Sequence, residues 1–218
     1  MQNFTIDYSG NWDSEYSKII KNSVKKALDN DTKLSNEIFQ MPGYSNVYNR
    51  IILNTIVEQT SDARYLEIGC WQGSTTCSAI YKNTVKVVCI DNFSEPDLGI
   101  ATEKILIENL EKYKNENAYY QFINSDFRNV DYTTLEKHNI YLYDGAHEKT
   151  DHYDSLVYPL AALEDTFILI VDDWNWSHVR EGTLDSISDN KLNIVSDIRV
   201  ISDTIKWNNG YYMAVIQK

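Results

Sequence analysis

The sequence predicts an α/β fold: a Rossmann-like, doubly wound, mostly parallel sheet with an antiparallel C-terminal hairpin and N-terminal helices. Three observations predict it. From Ala63 onward, short apolar runs alternate with segments of helical periodicity, which implies parallel strands joined by helical crossovers. Carboxylates recur just after those runs, at the carboxyl edge where such sheets bind ligands. The tail carries two strand-like runs around Asn208-Asn209-Gly210, and Asn-Gly is a strong hairpin signal.

The elements follow in order. "SEYSKIIKNSVKKALDN" and "NVYNRIILNTIVEQTS" place apolar residues three and four apart, as amphipathic helices do. The Pro42-Gly43 pair in "QMPGYS" marks the turn between them. The first third is therefore expected to be helical, and the whole chain reads as one compact unit. "RYLEI", "VKVVCI", "YYQFIN", "IYLY" and "FILIV" read as buried strands. Helices are expected at "STTCSAIYKN", "ATEKILIENLEKYK", "VDYTTLEKH", "KTDHYDSLVYPLAAL" and "SHVREGTLDSISDN".

Bulk properties narrow the function. A chain of 218 residues, 43% apolar and 24% charged, can bury a real core. Its formal charge of −12 repels phosphate backbones, so nucleic acid is not an expected partner. The densest basic stretch sets Lys18, Lys21, Lys25 and Lys26 at helical spacing and reads as a solvated helix face. Cys70, Cys77 and Cys89 lack metal-ligand spacing and read as free, buried thiols in a reducing cytoplasm. No basic-then-apolar leader opens the chain, and no apolar run approaches the ~20 residues of a membrane helix. A cytoplasmic protein without a membrane partner is expected, with self-association into a homo-oligomer left open.

The strand ends carry the chemistry. "LEIGCWQGSTT" offers Glu67 at a strand end, Gly69 and Gly73 for a tight turn around Cys70, and Ser74 and Thr75 as caps of the next helix. Trp71 stands where the dinucleotide fingerprint needs a second close glycine. A ligand with a cationic part therefore fits this turn better than a diphosphate. Asp91, in "VVCIDNF" with Asn92 beside it, occupies the place that receives ribose hydroxyls. Asp126, in "FINSDF" with Phe127 beside it, can reach an adenine amino group. Each acid alone also suits a helix cap. Together they describe an adenosine pocket.

Farther along, "YLYDGAHEKTDHYD" sets Asp144 and His147 in one loop, and "ILIVDDWNW" ends in Asp172 and Asp173. Acids gathered at one edge repel unless something positive joins them, and all-oxygen ligation suits magnesium or another hard divalent cation. Asp172-Asp173 by itself equally suits a cap and a solvated acid. His147 reads either as a base or as a partner of Asp144. His138, His152 and His178 read as structural. Trp174 and Trp176 suit packing under the next helix at least as well as a ligand face.

Taken together, "YLEIGCWQGST", "CIDNF", "NSDF", "YLYDGAH" and "ILIVDDWNW" resemble class I S-adenosylmethionine-dependent methyltransferases, and within them the metal-dependent sugar O-methyltransferases of the macrocin kind. The resemblance runs from about Met41 to the C-terminus, and Trp71 departs from the more widespread Gly-x-Gly-x-Gly loop. It implies that Glu67, Gly69 and Gly73 line the methionine end of the cofactor, that Asp91 binds ribose and that Asp126 binds adenine. It further implies that Asp144, Asp172 and Asp173 hold magnesium and that His147 is the base. Residues 1–60, the N-terminal helices with "QMPGYS", would then be a lid or substrate segment, and 61–218 the S-adenosylmethionine-binding unit.

The expected activity is methyl transfer to a hydroxyl of a small polyhydroxylated acceptor, a sugar or glycoside. A nicotinamide-dependent oxidoreductase and a non-catalytic cofactor-binding module are the rivals.

Overall fold

In the computed structural model of the chain, residues 4–94, 102–204, 207 and 209–218 are described. Pro96, Ala101 at the head of one predicted helix, and Asn208 in the predicted hairpin turn lie outside them.

Five parallel strands form the sheet's centre and one edge: β2 (Arg64–Ile68), β3 (Val85–Asp91), β4 (Ala118–Asn124), β5 (His138–Tyr143) and β6 (Leu163–Asp172). These match the five apolar runs. β7 (Asn193–Ser202) and β8 (Tyr211–Gln217) form the expected antiparallel hairpin, and β8 lies antiparallel to β6. The strand order is β1-β7-β8-β6-β5-β2-β3-β4, with β1 (Phe4–Gly10) at the far edge.

β1 corrects the expectation of a wholly helical first third. Phe4 and Ile6 alternate with Thr5 and Asp7, a period-two pattern, and the strand pairs antiparallel with β7. An edge strand exposes most of its side chains, as this one does, so its hydrophobic signal is weak. Its partner is supplied from the other end of the chain, where local periodicity cannot register it.

Helices cover both faces. On one face α1 (Glu15–Asp29) and α3 (Val47–Gln59) pack with α4 (Ser74–Ile80) and α5 (Thr102–Tyr113) over Tyr65, Val87, Leu142, Ile170 and Met213. The short α2 (Asn36–Gln40) lies between α1 and α3 in the chain. Ser14 caps α1 by accepting from Ser17 N at 3.1 Å, and Asn30 ends it in the left-handed region that asparagine tolerates. Lys18, Lys21 and Lys25 are exposed and Lys26 half-buried, the solvated face expected of them. On the other face α6 (Lys149–Val157) and α7 (Ser177–Asp189) cover Leu66, Tyr141, Leu169 and Tyr212.

Two predicted helices are shorter than expected. "VDYTTLEKH" forms a single 3₁₀ turn, Tyr132–Thr134, and gives His138 to β5. Asp131 caps Thr133 N at 3.1 Å, a local bond that competes with a continuing helix. α6 stops at Val157, and a 3₁₀ turn at Pro159–Ala162 replaces its last part, because proline clashes with the preceding turn. No helix among the described residues is long and apolar enough to cross a membrane.

Candidate active site

The strand registers assemble the site before any side chain is considered. Ile68 pairs with Ile90 and Tyr143, Tyr143 pairs with Val171, and Asp172 pairs with Tyr211. One residue farther along, Asp91, Gly69, Asp144, Asp172 and Tyr211 form a single row across β3, β2, β5, β6 and β8. Side chains at equal register share a face. Gly69 sits inside this row at φ +92°, and a Cβ there would lie 2.0 Å from the Asp144 carbonyl oxygen. Only glycine lets the two turns meet this closely.

Above the row opens a cleft of about 480 Å³, within the ~300–1,000 Å³ of small-molecule sites. Gly69, Cys70, Ser74, Thr75, Asp91, Asn92, Asp126, Phe127, Asp144, His147, Asp172 and Asp173 all border it. Two predicted site residues, Glu67 and Gly73, do not.

The expectation that Glu67 lines the cofactor is corrected by its surroundings. The side chain is fully buried below Gly69 and accepts from the hydroxyls of Tyr65 at 2.9 Å, Thr76 at 2.7 Å and Thr75. Burial pushes its carboxyl up to about 7 against the opposing pull of those hydroxyls. Glu67 ties β2 to α4 from beneath the cleft. Gly73 is the N-cap of α4, at φ +86° and with no side-chain cap. The expected capping by Ser74 and Thr75 is thus replaced: Thr75 serves Glu67, and Ser74 Oγ lies 3.0 Å from Ser45 Oγ.

Asp91 holds the glycine turn. Its two oxygens accept from the backbone N–H of Trp71 and of Phe93, each at 2.7 Å, and burial raises its carboxyl. Trp71 takes a left-handed φ of 41°, the conformation a glycine would otherwise supply. Asn92 Oδ1 accepts from Ser94 N at 3.1 Å, and Asp126 accepts from Arg128 N at 2.9 Å, the cap its position also suggested. Phe127 stands edge-on to Tyr143 with ring centroids 5.7 Å apart.

At the other end of the cleft, donor atoms of Asp144, His147 and Asp173 lie within 4.8 Å of one another. His147 Nε2 is 2.7 Å from Asp173 Oδ2. This converging group shares Asp144 and Asp173 with the expected ligand set and has His147 in the place of Asp172. Asp172 Oδ1 accepts from Asp173 N at 2.9 Å and faces Asn49 on α3 at 3.5 Å. The left-handed turn at Asp173, φ 56°, swings that side chain toward His147. Neither acid caps α7, whose N-cap is Trp176. Burial, then the charge of Asp173, pushes Asp172 up to about 8. Burial, then Asp172 and Asp173, raises Asp144 well above the carboxylate range. Acids in this state favour a nearby cation; the carboxylates alone suit magnesium or manganese, and an imidazole among them favours a transition metal such as manganese over magnesium.

Further residues surround the cleft: the sequence singled out neither Arg50 nor Arg128, whereas Tyr44 and Ser45 belong to the "QMPGYS" segment expected over the site. Tyr44 and Ser45 are the described members of the first 60 residues that border the cleft. The fully buried Arg50 guanidinium holds their segment, donating to Ser45 Oγ at 3.0 Å, Met41 O at 3.0 Å and Ile38 O. Tyr44 leans on Trp71 with centroids 5.1 Å apart. Arg128 is neutralised by Asp154 at 2.7 Å and Asp151 at 2.6 Å. Trp174 is buried and stacks on Tyr212 at 4.0 Å, which removes it from the site, whereas Trp176 borders the cleft edge-on to His147.

No protein-family model and no curated protein sequence matches the chain. Solved structures do match in shape. An O-methyltransferase from Bacillus cereus in complex with SAH superposes with a TM-score of 0.57 at 13% identity, covering 90% of this chain and 91% of that one. An SAH-bound methyltransferase from Podospora anserina gives 0.56 at 12%, covering 92% and 88%. Fibrillarin from Aeropyrum pernix with bound S-adenosyl-L-methionine gives 0.54 at 14%, covering 79% and 75%.

The chain shares their fold. Within this Rossmann-like fold the row of acids stands at the carboxyl edge of the parallel strands, the edge at which such sheets bind ligands.

Proposed function

We propose that this chain transfers a methyl group from S-adenosylmethionine to a hydroxyl of a small polyhydroxylated acceptor, a sugar or glycoside, with a divalent cation assisting. One observation carries the reading: a single cleft has two acids at one end suited to a nucleoside and three converging donors at the other. The fold's likeness to structures that hold SAH or S-adenosyl-L-methionine supports the cofactor.

Asp91 and Asp126 would take the ribose and adenine, each with lone pairs left after its backbone bonds. Cys70, Phe93 and Phe127 add apolar wall, and Asp144 bounds the far end. S-adenosylmethionine, when bound, supplies an electrophilic methyl group. The protein's task is to align the acceptor oxygen behind it and exclude water, and such positioning is worth roughly 7–11 kcal/mol of barrier.

Asp144 and Asp173, with Asp172 behind them, would hold magnesium or manganese, which lowers the cost of alkoxide character on the acceptor. His147 takes the acceptor's proton, and Asp173 at 2.7 Å orients the ring and stabilises the imidazolium. Tyr44 and Trp176 are exposed aromatics at the cleft, which supports a ring-shaped acceptor. Five carboxylates border the cleft against an Arg128 already paired, which disfavours an anionic acceptor.

The test is calorimetric titration with S-adenosylhomocysteine and with NADH, followed by labelled methyl transfer to a panel of glycosides with and without magnesium. Binding of S-adenosylhomocysteine alone and magnesium-dependent labelling are expected. NADH binding without S-adenosylhomocysteine binding would revive the oxidoreductase. Cofactor binding with no metal uptake and no labelling would favour a non-catalytic module.

A further inference from the structure

Tyr211 opens β8 directly across from Asp172 on β6. Its ring is 1% exposed, and its hydroxyl has no hydrogen-bond partner among the described residues. Buried hydroxyls are rarely left unmatched, because the desolvation cost is not recovered. Paired residues of neighbouring strands share a face of the sheet, so the ring lies on the same side as the Asp172 carboxylate. Asn49, whose amide nitrogen approaches Asp172 at 3.5 Å, has its own Oδ1 unmatched. Neither Tyr211 nor Asn49 borders the cleft, and a ligand there would meet the acids first.

We propose that Tyr211 is a positioning residue of the cation site, its unmatched hydroxyl the donor held for the Asp172 carboxylate on the same face. The proposal rests on the cation reading above. A carboxylate beside a cation keeps free lone pairs, and a hydroxyl fixed on the same face can hold its orientation. The hydroxyl can donate, and the Asn49 carbonyl oxygen cannot. Donation from behind, directly or through one bound water, engages the inner carboxylate oxygen and leaves the outer one toward the cleft. Outer-shell partners of this kind are worth about 10–100-fold in metal affinity.

The probe is Mn²⁺ alone, titrated into the full chain and into Tyr211→Phe and followed by the electron paramagnetic resonance of free Mn²⁺. Thermal unfolding of both proteins without metal is measured alongside. Tyr211→Phe is expected to bind Mn²⁺ about 10–100-fold more weakly. Its metal-free unfolding temperature is expected at or above wild type, because the substitution removes an unmatched hydroxyl and no bond. Equal Mn²⁺ affinity in the two proteins overturns the proposal. A metal-free unfolding temperature well below wild type also overturns it, by marking the hydroxyl as structural. Wild-type protein that takes up no Mn²⁺ overturns the cation reading itself, a separate failure that the same titration identifies.

Discussion

His147 Nε2 lies 2.7 Å from Asp173 Oδ2, across the gap between the loop after β5 and the turn after β6. A carboxylate at that distance can orient the imidazole for proton transfer, and the same imidazole stands among the three converging donors. The two roles predict different losses. As the base, His147→Ala lowers the methyl-transfer rate by about 10²–10⁴-fold and leaves Mn²⁺ affinity unchanged. Parallel loss of Mn²⁺ affinity would instead make His147 a ligand.

Asp91 is expected to act on the cofactor and on the turn together. Asp91→Ala strands the Trp71 and Phe93 amides, each bonded at 2.7 Å, and releases the left-handed Trp71 turn. Lost bonds to a charged acceptor cost about 1.5–3 kcal/mol each when no water replaces them. S-adenosylhomocysteine affinity should fall together with stability in urea. Asp91→Asn keeps one acceptor oxygen and should fall between. Unchanged affinity in Asp91→Ala removes Asp91 from the nucleoside site.

These residues also separate what the sequence makes legible from what it hides. The parallel strands were legible because each is a dense β-branched or aromatic run, and the acids were legible because strand ends define the binding edge. Hidden were contacts made across the fold. Alternation would send Asp172 and Asp173 to opposite faces, and the turn at Asp173, φ 56°, decides which one meets His147. Arg50 bonds mainly backbone carbonyls, which leave no pattern in side chains. Glu67 was hidden in part only: Tyr65, Thr75 and Thr76, its three donors, stand close by in the chain and were a readable sign of a satisfied acid.

Glu67 also sets a pH dependence. Its folded pKa is about 7 against an ordinary value of 4.5. Between those values the folded chain holds a proton that the unfolded chain has released, so stability is full below about pH 4.5 and declines as pH rises toward 7. The span corresponds to about 3 kcal/mol as an order of magnitude. Asp172, raised to about 8 by burial and then by Asp173, adds a decline of the same sign. Urea unfolding at pH 5 and at pH 7.5 should show Glu67→Gln losing less stability than wild type across that interval. An equal loss in the two proteins would show that Glu67 is ionised throughout.

Arg50 fastens the strap that carries Tyr44 and Ser45 to the cleft. Its guanidinium is buried and bonded to two carbonyls and a hydroxyl, and burial lowers its pKa. Lysine keeps the charge but not the planar fork that reaches all three partners. Arg50→Lys should therefore raise proteolytic cleavage within residues 38–45 and cost about 2–3 kcal/mol in urea unfolding. Unaltered cleavage would show that Ser45–Ser74 and the surrounding packing hold the strap alone.

The two tryptophans after the Asp pair provide the last contrast. Trp174 is 1% exposed and lies flat on Tyr212, with an interplanar angle of 10°. Trp174→Ala empties a large volume in the core beneath α7 and should cost about 3–5 kcal/mol. Trp176 is 36% exposed and touches the cleft through His147. Trp176→Ala should shift stability by less than about 1 kcal/mol and raise the acceptor KM while S-adenosylhomocysteine affinity holds. Stability separates the two positions before any acceptor is known, because one ring fills the core and the other stands at its margin. If Trp176→Ala unfolds as readily as Trp174→Ala, its ring is core after all, and the aromatic wall proposed for the acceptor loses one side.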